Sequence, residues 1–376
     1  MSLKSISVFF LVAFSITGFS SEAWNTKSNF GGVGRHRGTG IAIGNRGYMG
    51  LGHYNGAGPN IMFDDWWEFD PATNTWSQKA SYPFPTYAAS SFTIGMKCYV
   101  GAGVSAGNLF YAFDPMSNTW TPIQPVPMGS TDQLAFSLNG KGYYINYSDV
   151  YEYDAALDQW TLQNPAPFSL SSWSSSFTIG EKAYVKTGNQ LYEYKPATDD
   201  WTVRANFPGI ASGGSAAFAV KGKGYIVCGY VGWLSELTDE VWEFDPSTNT
   251  WTQLDEFPGS SRRFSAGFSI GSKGYVGIGT TGTNMRDFWE FDELLSATSA
   301  PSQDVTLYPN PATDFINITG VTDAALNVYD VQGKLVLSTV LTGNDQVDIR
   351  SLEAGTYFIE ILTGNSHSTT KFVFQP

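Results

Sequence analysis

Four arginines crowd into two short stretches of this chain, Arg35-His36-Arg37 and Arg262-Arg263. A guanidinium matches a carboxylate or a sulfate through paired hydrogen bonds, so such a cluster is suited to holding an acidic group. Tyr87 and Trp173 offer ring faces for stacking, and Asp132 and Gln133 offer polar ends. Asp132 and His36 are also residue types able to pass a proton. The competing reading is that the arginines pair with local Asp or Glu. Which reading holds depends on the elements that place these residues.

Those elements come from a repeat. Trp67, Tyr111, Tyr151, Tyr192 and Trp242 each stand nine residues before a lone tryptophan: Trp76, Trp120, Trp160, Trp201 and Trp251. Trp289 lacks its partner, since Thr298 stands there, while an unpaired tryptophan of the second kind occurs at Trp24. From Trp24 onward the second tryptophans are 52, 44, 40, 41 and 50 residues apart. Each unit reads as four short strands with tight turns, such as Gly271-Ser272-Lys273-Gly274 and Asp70-Pro71-Ala72-Thr73-Asn74-Thr75. A repeat of this length, its last unit completed by its first residues, predicts a closed six-bladed β-propeller. Closure leaves no free sheet edge. The strand at Trp24 is expected to be the outer strand of the blade ending near Asp292.

Strand parity sorts the loops. The turns between strands one and two, and three and four, share one face. The loops between strands two and three, and the connections between blades, share the other. The second set is expected to be long and varied, which is where function usually sits on a rigid scaffold. All nine candidates, Arg35, His36, Arg37, Tyr87, Asp132, Gln133, Trp173, Arg262 and Arg263, fall on connections entering innermost strands. Surface placement of Arg35 and Arg262 predicts that losing both leaves stability nearly unchanged.

Several motifs are excluded as chemistry. Gly267-Phe268-Ser269-Ile270-Gly271 spells a nucleophile elbow, but Thr93 and Thr178 occupy the same slot as Ser269 and no helix follows. Gly277-Ile278-Gly279-Thr280-Thr281-Gly282 spells a dinucleotide fingerprint but joins strand to strand. Asp70, Asp114, Asp154 and Asp245 recur at one turn and read as caps. Three scattered histidines, His36, His53 and His367, give no zinc spacing, and no EF-hand loop occurs. No metal or cofactor is expected. Cys98 and Cys228 fall in opposite blades and are expected to be separate buried thiols. A net charge of −13 disfavours nucleic acid as a partner.

The repeat resembles the kelch repeat over Trp24 to Asp292. The glycines after the second strand are spaced, as in Gly50 and Gly52, Gly101 and Gly103, Gly277 and Gly279, and the units at Tyr144 and Tyr184 lose most of them. No Trp-Asp dipeptide supports a WD-type ring. Kelch rings with this closure include a sialic-acid mutarotase, and others are fused to a copper oxidase whose tyrosine and histidine ligands this chain does not provide. No residue role is carried over from either.

Residues 1–23 read as an export signal: Lys4, an apolar run from Ile6 to Ile16, then small residues. The run is too short to span a bilayer core of about 30 Å, and no transmembrane segment is expected in the mature chain. Residues 293–301 read as a linker. From 302 to 376 short alternating strands suggest a small β-sandwich. Its wording, Leu307-Tyr308-Pro309-Asn310-Pro311-Ala312, Val328-Tyr329-Asp330-Val331-Gln332-Gly333-Lys334 and Ser351-Leu352-Glu353-Ala354-Gly355-Thr356-Tyr357, resembles the C-terminal sorting domain of type IX secretion cargo in Bacteroidetes. That resemblance implies the type IX machinery as partner and a surface or secreted destination via the periplasm. The expectation is an exported binding module for an acidic saccharide or a protein. The alternative is a sugar-processing enzyme resembling the mutarotase.

Overall fold

The structure is a computed structural model that describes residues 23–56, 58–171, 173–232, 236–292, 306–319, 324–331, 334–342, 345–362 and 367–376. Ala23 apart, the expected export signal and the linker lie outside the described residues. Trp24–Asp292 forms one compact unit, and the residues from Thr306 onward belong to another.

Trp24–Asp292 is a ring of six four-stranded antiparallel sheets. Blade one is built from Thr39–Ile43, Arg46–Gly50, Trp66–Asp70 and Thr75–Lys79. Blade three is built from Leu134–Leu138, Lys141–Asn146, Asp149–Asp154 and Gln159–Leu162, and blade four from Ser175–Ile179, Lys182–Thr187, Gln190–Lys195 and Asp200–Val203. Each innermost strand neighbours that of the next blade, and the last neighbours the first. Blade six takes Ala266–Ile270, Lys273–Gly277 and Phe288–Asp292 from the end of the ring and Trp24–Lys27 from its start. Trp24 pairs with Phe291 in the ladder, and its ring lies 5.0 Å from Phe257 and 5.1 Å from Phe291. The chain is thus stitched shut by hydrogen bonds and aromatic contact together, as the unpaired tryptophans predict.

The recurring residues have local jobs. Asp70, Asp114, Asp154 and Asp245 each accept a backbone N–H two residues on, at 2.8–2.9 Å, so they are caps. Asn74 stands in the left-handed region at φ 54° and accepts the Ser28 N–H, while the Trp76 indole N–H donates to the Ser28 carbonyl at 3.0 Å. Asn118 with Trp120, Asp158 with Trp160 and Asn249 with Trp251 repeat this grip on the chain leading to the next blade. The tryptophan spacing therefore records a clamp between blades as well as a wedge of apolar volume.

Blades meet through rings seated on glycines. A Cβ on Gly47, Gly142, Gly224 or Gly274 would lie within 2.5 Å of Phe268, Phe92, Phe177 or Phe218 of the preceding blade. No side chain fits there, so the phenylalanine of one blade selects glycine in the next. The elbow-like Ser269 lies in an innermost strand and donates its hydroxyl to the Ala219 carbonyl at 2.7 Å, a contact between blades. Cys98 and Cys228 are buried free thiols. Burial raises both, Cys228 to about 12.

The second unit is a sandwich of a three-stranded and a four-stranded antiparallel sheet. Phe315–Thr319 and Ala324–Tyr329 alternate buried and partly buried positions. Ile316, Ile318, Leu326, Val328, Ile359 and Phe372 share one core. Among the described residues no helix is long and apolar enough to cross a membrane.

Candidate functional site

The site is built on a backbone pattern rather than a residue pattern. Just before the innermost strand of each blade stands one residue in the left-handed region: Arg37 (φ 52°), Ala88 (56°), Asp132 (58°), Trp173 (68°), Gly214 (68°) and Phe264 (59°). Only glycine adopts such angles freely, so five substituted residues there mark a constraint imposed from outside. The constraint is visible in the hydrogen bonds. Ala88 N–H donates to Arg37, Asp132 to Ala88, Gly214 to Trp173, Phe264 to Gly214 and Arg37 to Phe264, each to the backbone carbonyl at 2.7–3.2 Å. This girdle rounds the mouth of the axial channel, which the five side chains and Gly214 line.

Two of the six are small, and they face each other across the ring. Over Ala88 the side chains of Arg37 and Asp132 meet at 3.4 Å. Over Gly214 the rings of Trp173 and Phe264 meet at 5.0 Å, edge to face. The mouth thus has a polar half and an aromatic half. Arg37 joins them, its guanidinium 4.5 Å from the Phe264 ring and 5.2 Å from Trp173. A cavity of about 160 Å³ lies here, lined by these residues with Gln133 and Ser215.

Around Arg37 runs an arc of rings. Tyr230 packs edge-on to Trp173 at 5.6 Å, His36 stacks on Phe264 at 5.8 Å, His36 and His53 lie 4.1 Å apart, and His53 stacks on Tyr87 at 4.0 Å. Arg263 rests between Tyr230 and Phe264, 5.3 and 5.2 Å from their centres. His36 Nδ1 lies 2.6 Å from Asn284 Oδ1, and His53 Nδ1 lies 2.8 Å from Asn60 Oδ1. An amide oxygen only accepts, so each Nδ1 carries the hydrogen and each Nε2 is a lone pair. His53 Nε2 is buried without a partner. Burial lowers His36 to about 4 against the pull of Asn284, with His53, Arg37 and Arg263 adding to the shift. Burial likewise lowers His53. Burial raises Asp132, opposed by Arg37. The Trp173 indole N–H lies near enough to favour the Asp132 carboxylate but forms no well-aligned bond.

Six of the nine residues singled out in the sequence meet at this mouth: His36, Arg37, Tyr87, Asp132, Trp173 and Arg263. Gln133 lines the cavity, but its amide braces the backbone, accepting from Tyr147 N–H at 2.8 Å and donating to the Thr131 carbonyl. Arg35 and Arg262 correct the expectation of four arginines on one rim. Both are fully buried. Arg35 forms a two-pronged ion pair with Asp65 and donates to the Val33 and Leu51 carbonyls. Arg262 repeats this with Asp287, Ser260 and Ile278. Their partners also hold Trp67 and Trp289 by the indole N–H at 2.8 Å. The same two acids therefore lock the third strands of blades one and six, and these arginines are braces.

Loop length also departs from expectation. In blades three and four the second and third strands join through tight two-residue hairpins, Tyr147-Ser148 and Gly188-Asn189. The long loops belong to blade one, to blade two (Ser90–Ile94, Lys97–Gly101, Phe110–Asp114 and Thr119–Pro122) and to blade six, such as Leu51 to Asp65 and Ile278 to Asp287. Reading from sequence missed Phe264, His53, Tyr230 and Asn284. Aligning the six units on their innermost strands would have found Phe264, which occupies the slot of Arg37, Asp132 and Trp173. Nothing in the spacing marks His53 or Asn284. Among the described residues no cluster of His, Cys, Asp or Glu could hold a metal ion.

Comparison with known proteins agrees with this architecture. Residues 212–258 match the kelch motif. Among solved structures, one titled "Structure of YjhT" superposes with a TM-score of 0.60 at 15% identity, covering 70% of this chain and 95% of that one. That likeness speaks to the fold. The chain carries a six-bladed kelch-type propeller. Residues 306–375 match the secretion system C-terminal sorting domain, so the chain is a secreted kelch protein whose tail engages the type IX secretion machinery. No curated protein matches it in sequence.

Proposed function

We propose that the propeller is an exported binding module that takes a carboxylate- or sulfate-bearing saccharide at the channel mouth. The observation that carries this reading is the Arg37 guanidinium, held at the mouth between ring faces yet 20% exposed. A charge that remains in contact with water and is oriented by stacking can exchange solvent for an anion without rebuilding the site. Trp173, Tyr87 and Tyr230 supply flat faces for a sugar ring. The leader over residues 1–23 would take the chain through the inner membrane to the periplasm, and the sorting domain would take it across the outer membrane. A glycan array with residues 24–292 is the test. Acidic glycans should be retained, neutral ones should not, and Arg37→Ala should abolish retention. Equal retention of neutral glycans by parent and variant would refute the reading.

A second reading, acid–base chemistry on a sugar, is favoured by one observation. A neutral His53 imidazole with a free Nε2 lies beside a carboxyl group whose pKa burial raises. Burial draws the two pKa values toward each other, which suits the pair to passing a proton. An anomer-exchange assay on bound sugars would detect it, and His53→Gln should abolish exchange while leaving binding.

A further inference from the structure

The described residues hold three comparable arginine–carboxylate contacts on the mouth side of the ring, and one of them is built differently. Arg35–Asp65 and Arg262–Asp287 are two-pronged, with arginines that expose nothing and carry extra bonds to backbone carbonyls. Arg37–Asp132 is a single contact at 3.4 Å between groups 20% and 22% exposed. The Arg37 Nε is buried with no hydrogen-bond partner. Stacking on Phe264 and Trp173 orients the guanidinium independently of Asp132. The contact therefore has a fixed cation and a loosely held anion.

Resting on the reading that Arg37 holds an anionic ligand, we infer that Asp132 is a built-in competitor for that seat: the ligand's carboxylate or sulfate binds by displacing the Asp132 carboxylate from Arg37. An ion pair with one long contact loses little when its anion is exchanged for one with better geometry. Burial disfavours the charged form of Asp132 by more than Arg37, Trp173 and His53 together favour it. Exchange is then coupled to pH. The charged and titratable groups facing Asp132 are Arg37 and His53, with His36 and Arg263 next around the arc. Arginine stays charged throughout, and burial lowers both histidines, His36 to about 4. Burial raises Asp132 above the ordinary carboxylate value, and its protonation frees Arg37. Anion affinity should rise as pH falls through that step.

The test is titration of the full mature chain with glucuronate and with glucose 6-sulfate, the second keeping its charge at every pH used. Binding is followed by tryptophan fluorescence and calorimetry. Asp132→Asn suits the left-handed backbone, as asparagine tolerates that region, and Asp132→Gly provides a second variant with no steric demand. Both should bind each anion about tenfold tighter than the parent, and should lose the rise in affinity that the parent shows as pH falls. Unchanged or weaker binding in both variants, with binding retained in the parent, overturns the competitor role and leaves the anion seat standing. Failure of parent and variants alike to bind either anion overturns both.

Discussion

The two faces of the propeller use one backbone plan in opposite ways. On the turn face the residue opening each second strand is Arg46, Lys97, Lys141, Lys182, Lys223 or Lys273. Each pairs with an acid on the third strand of its own blade: Asp70, Asp114, Asp154, Glu193, Glu243 and Glu290. At the mouth the six equivalent left-handed positions carry six unlike residues, from Gly214 to Trp173. Where residue type recurs, the side chain answers a local need that every blade shares. Where only the backbone recurs, five of the six N–H groups are paired within the girdle, and the side chain there answers no need that every blade shares. Variation on a repeated frame is thus the mark of the site, and repetition is the mark of the frame.

The largest expected effect strikes the frame at its closure. Deleting Trp24–Lys27 removes a whole ladder and the Trp24 ring, so the loss should exceed the about 3–5 kcal/mol typical of truncating one core aromatic. Urea denaturation measures it, and an unchanged midpoint would break the closure argument. Next comes Arg262→Ala, which strands the partly buried Asp287 carboxylate. Removing one partner of a buried pair costs about 3–5 kcal/mol, the reverse of what a rim placement would give.

Acid should act through the same braces. Asp287, Glu193 and Glu290 titrate below the ordinary carboxylate range: burial pushes each up, but their cations and donors outweigh it. A depressed folded pKa contributes stability above the unfolded value, about 4, and that contribution is lost as pH falls through the folded value. The melting temperature should therefore drop steeply below about pH 4. Arg262→Ala should drop less steeply, since Asp287 then no longer contributes.

Smaller effects sharpen the contrast between faces. Lys97→Met breaks a half-exposed pair on the turn face, and a loss under about 1 kcal/mol is expected. Arg37→Ala should cost about as little in stability, yet remove anion binding altogether; equal melting temperatures with unequal binding would separate site from frame. Smallest of all, removing residues 302–376 should leave the propeller's melting temperature where it was, while the protein no longer reaches the medium or surface. Normal export of that truncated chain would overturn the role assigned to the tail.

Much of this was legible in the amino-acid order. The tryptophan interval, the Asp caps and the unpaired Trp24 are local or strictly periodic signals, because each blade solves the same packing problem with the same side chains. The sorting domain was legible for a similar reason: its motif residues bond to chain segments at fixed places, as when Asn310 accepts the Val373 N–H at 2.9 Å and Tyr357 donates to the Glu353 carbonyl at 2.7 Å. The residues that gather at the mouth share one face because strand parity decides which loops lie together.

What the order of residues could not decide is which arginine points where. Arg35 and Arg37 are two apart, and Arg262 and Arg263 are adjacent, so composition and spacing treat them alike. The tertiary structure separates them through the left-handed turn: Arg37 stands on it and is aimed into the mouth, whereas Arg35 and Arg262 stand before it and are turned into the blade, where Asp65 and Asp287 wait. The ring, its closure and the export of the chain follow from repeats and motifs read along one strand at a time. The site was decided by the girdle that links five neighbouring pairs of blades, since a hydrogen bond between residues 40 or more positions apart leaves no trace in local spacing.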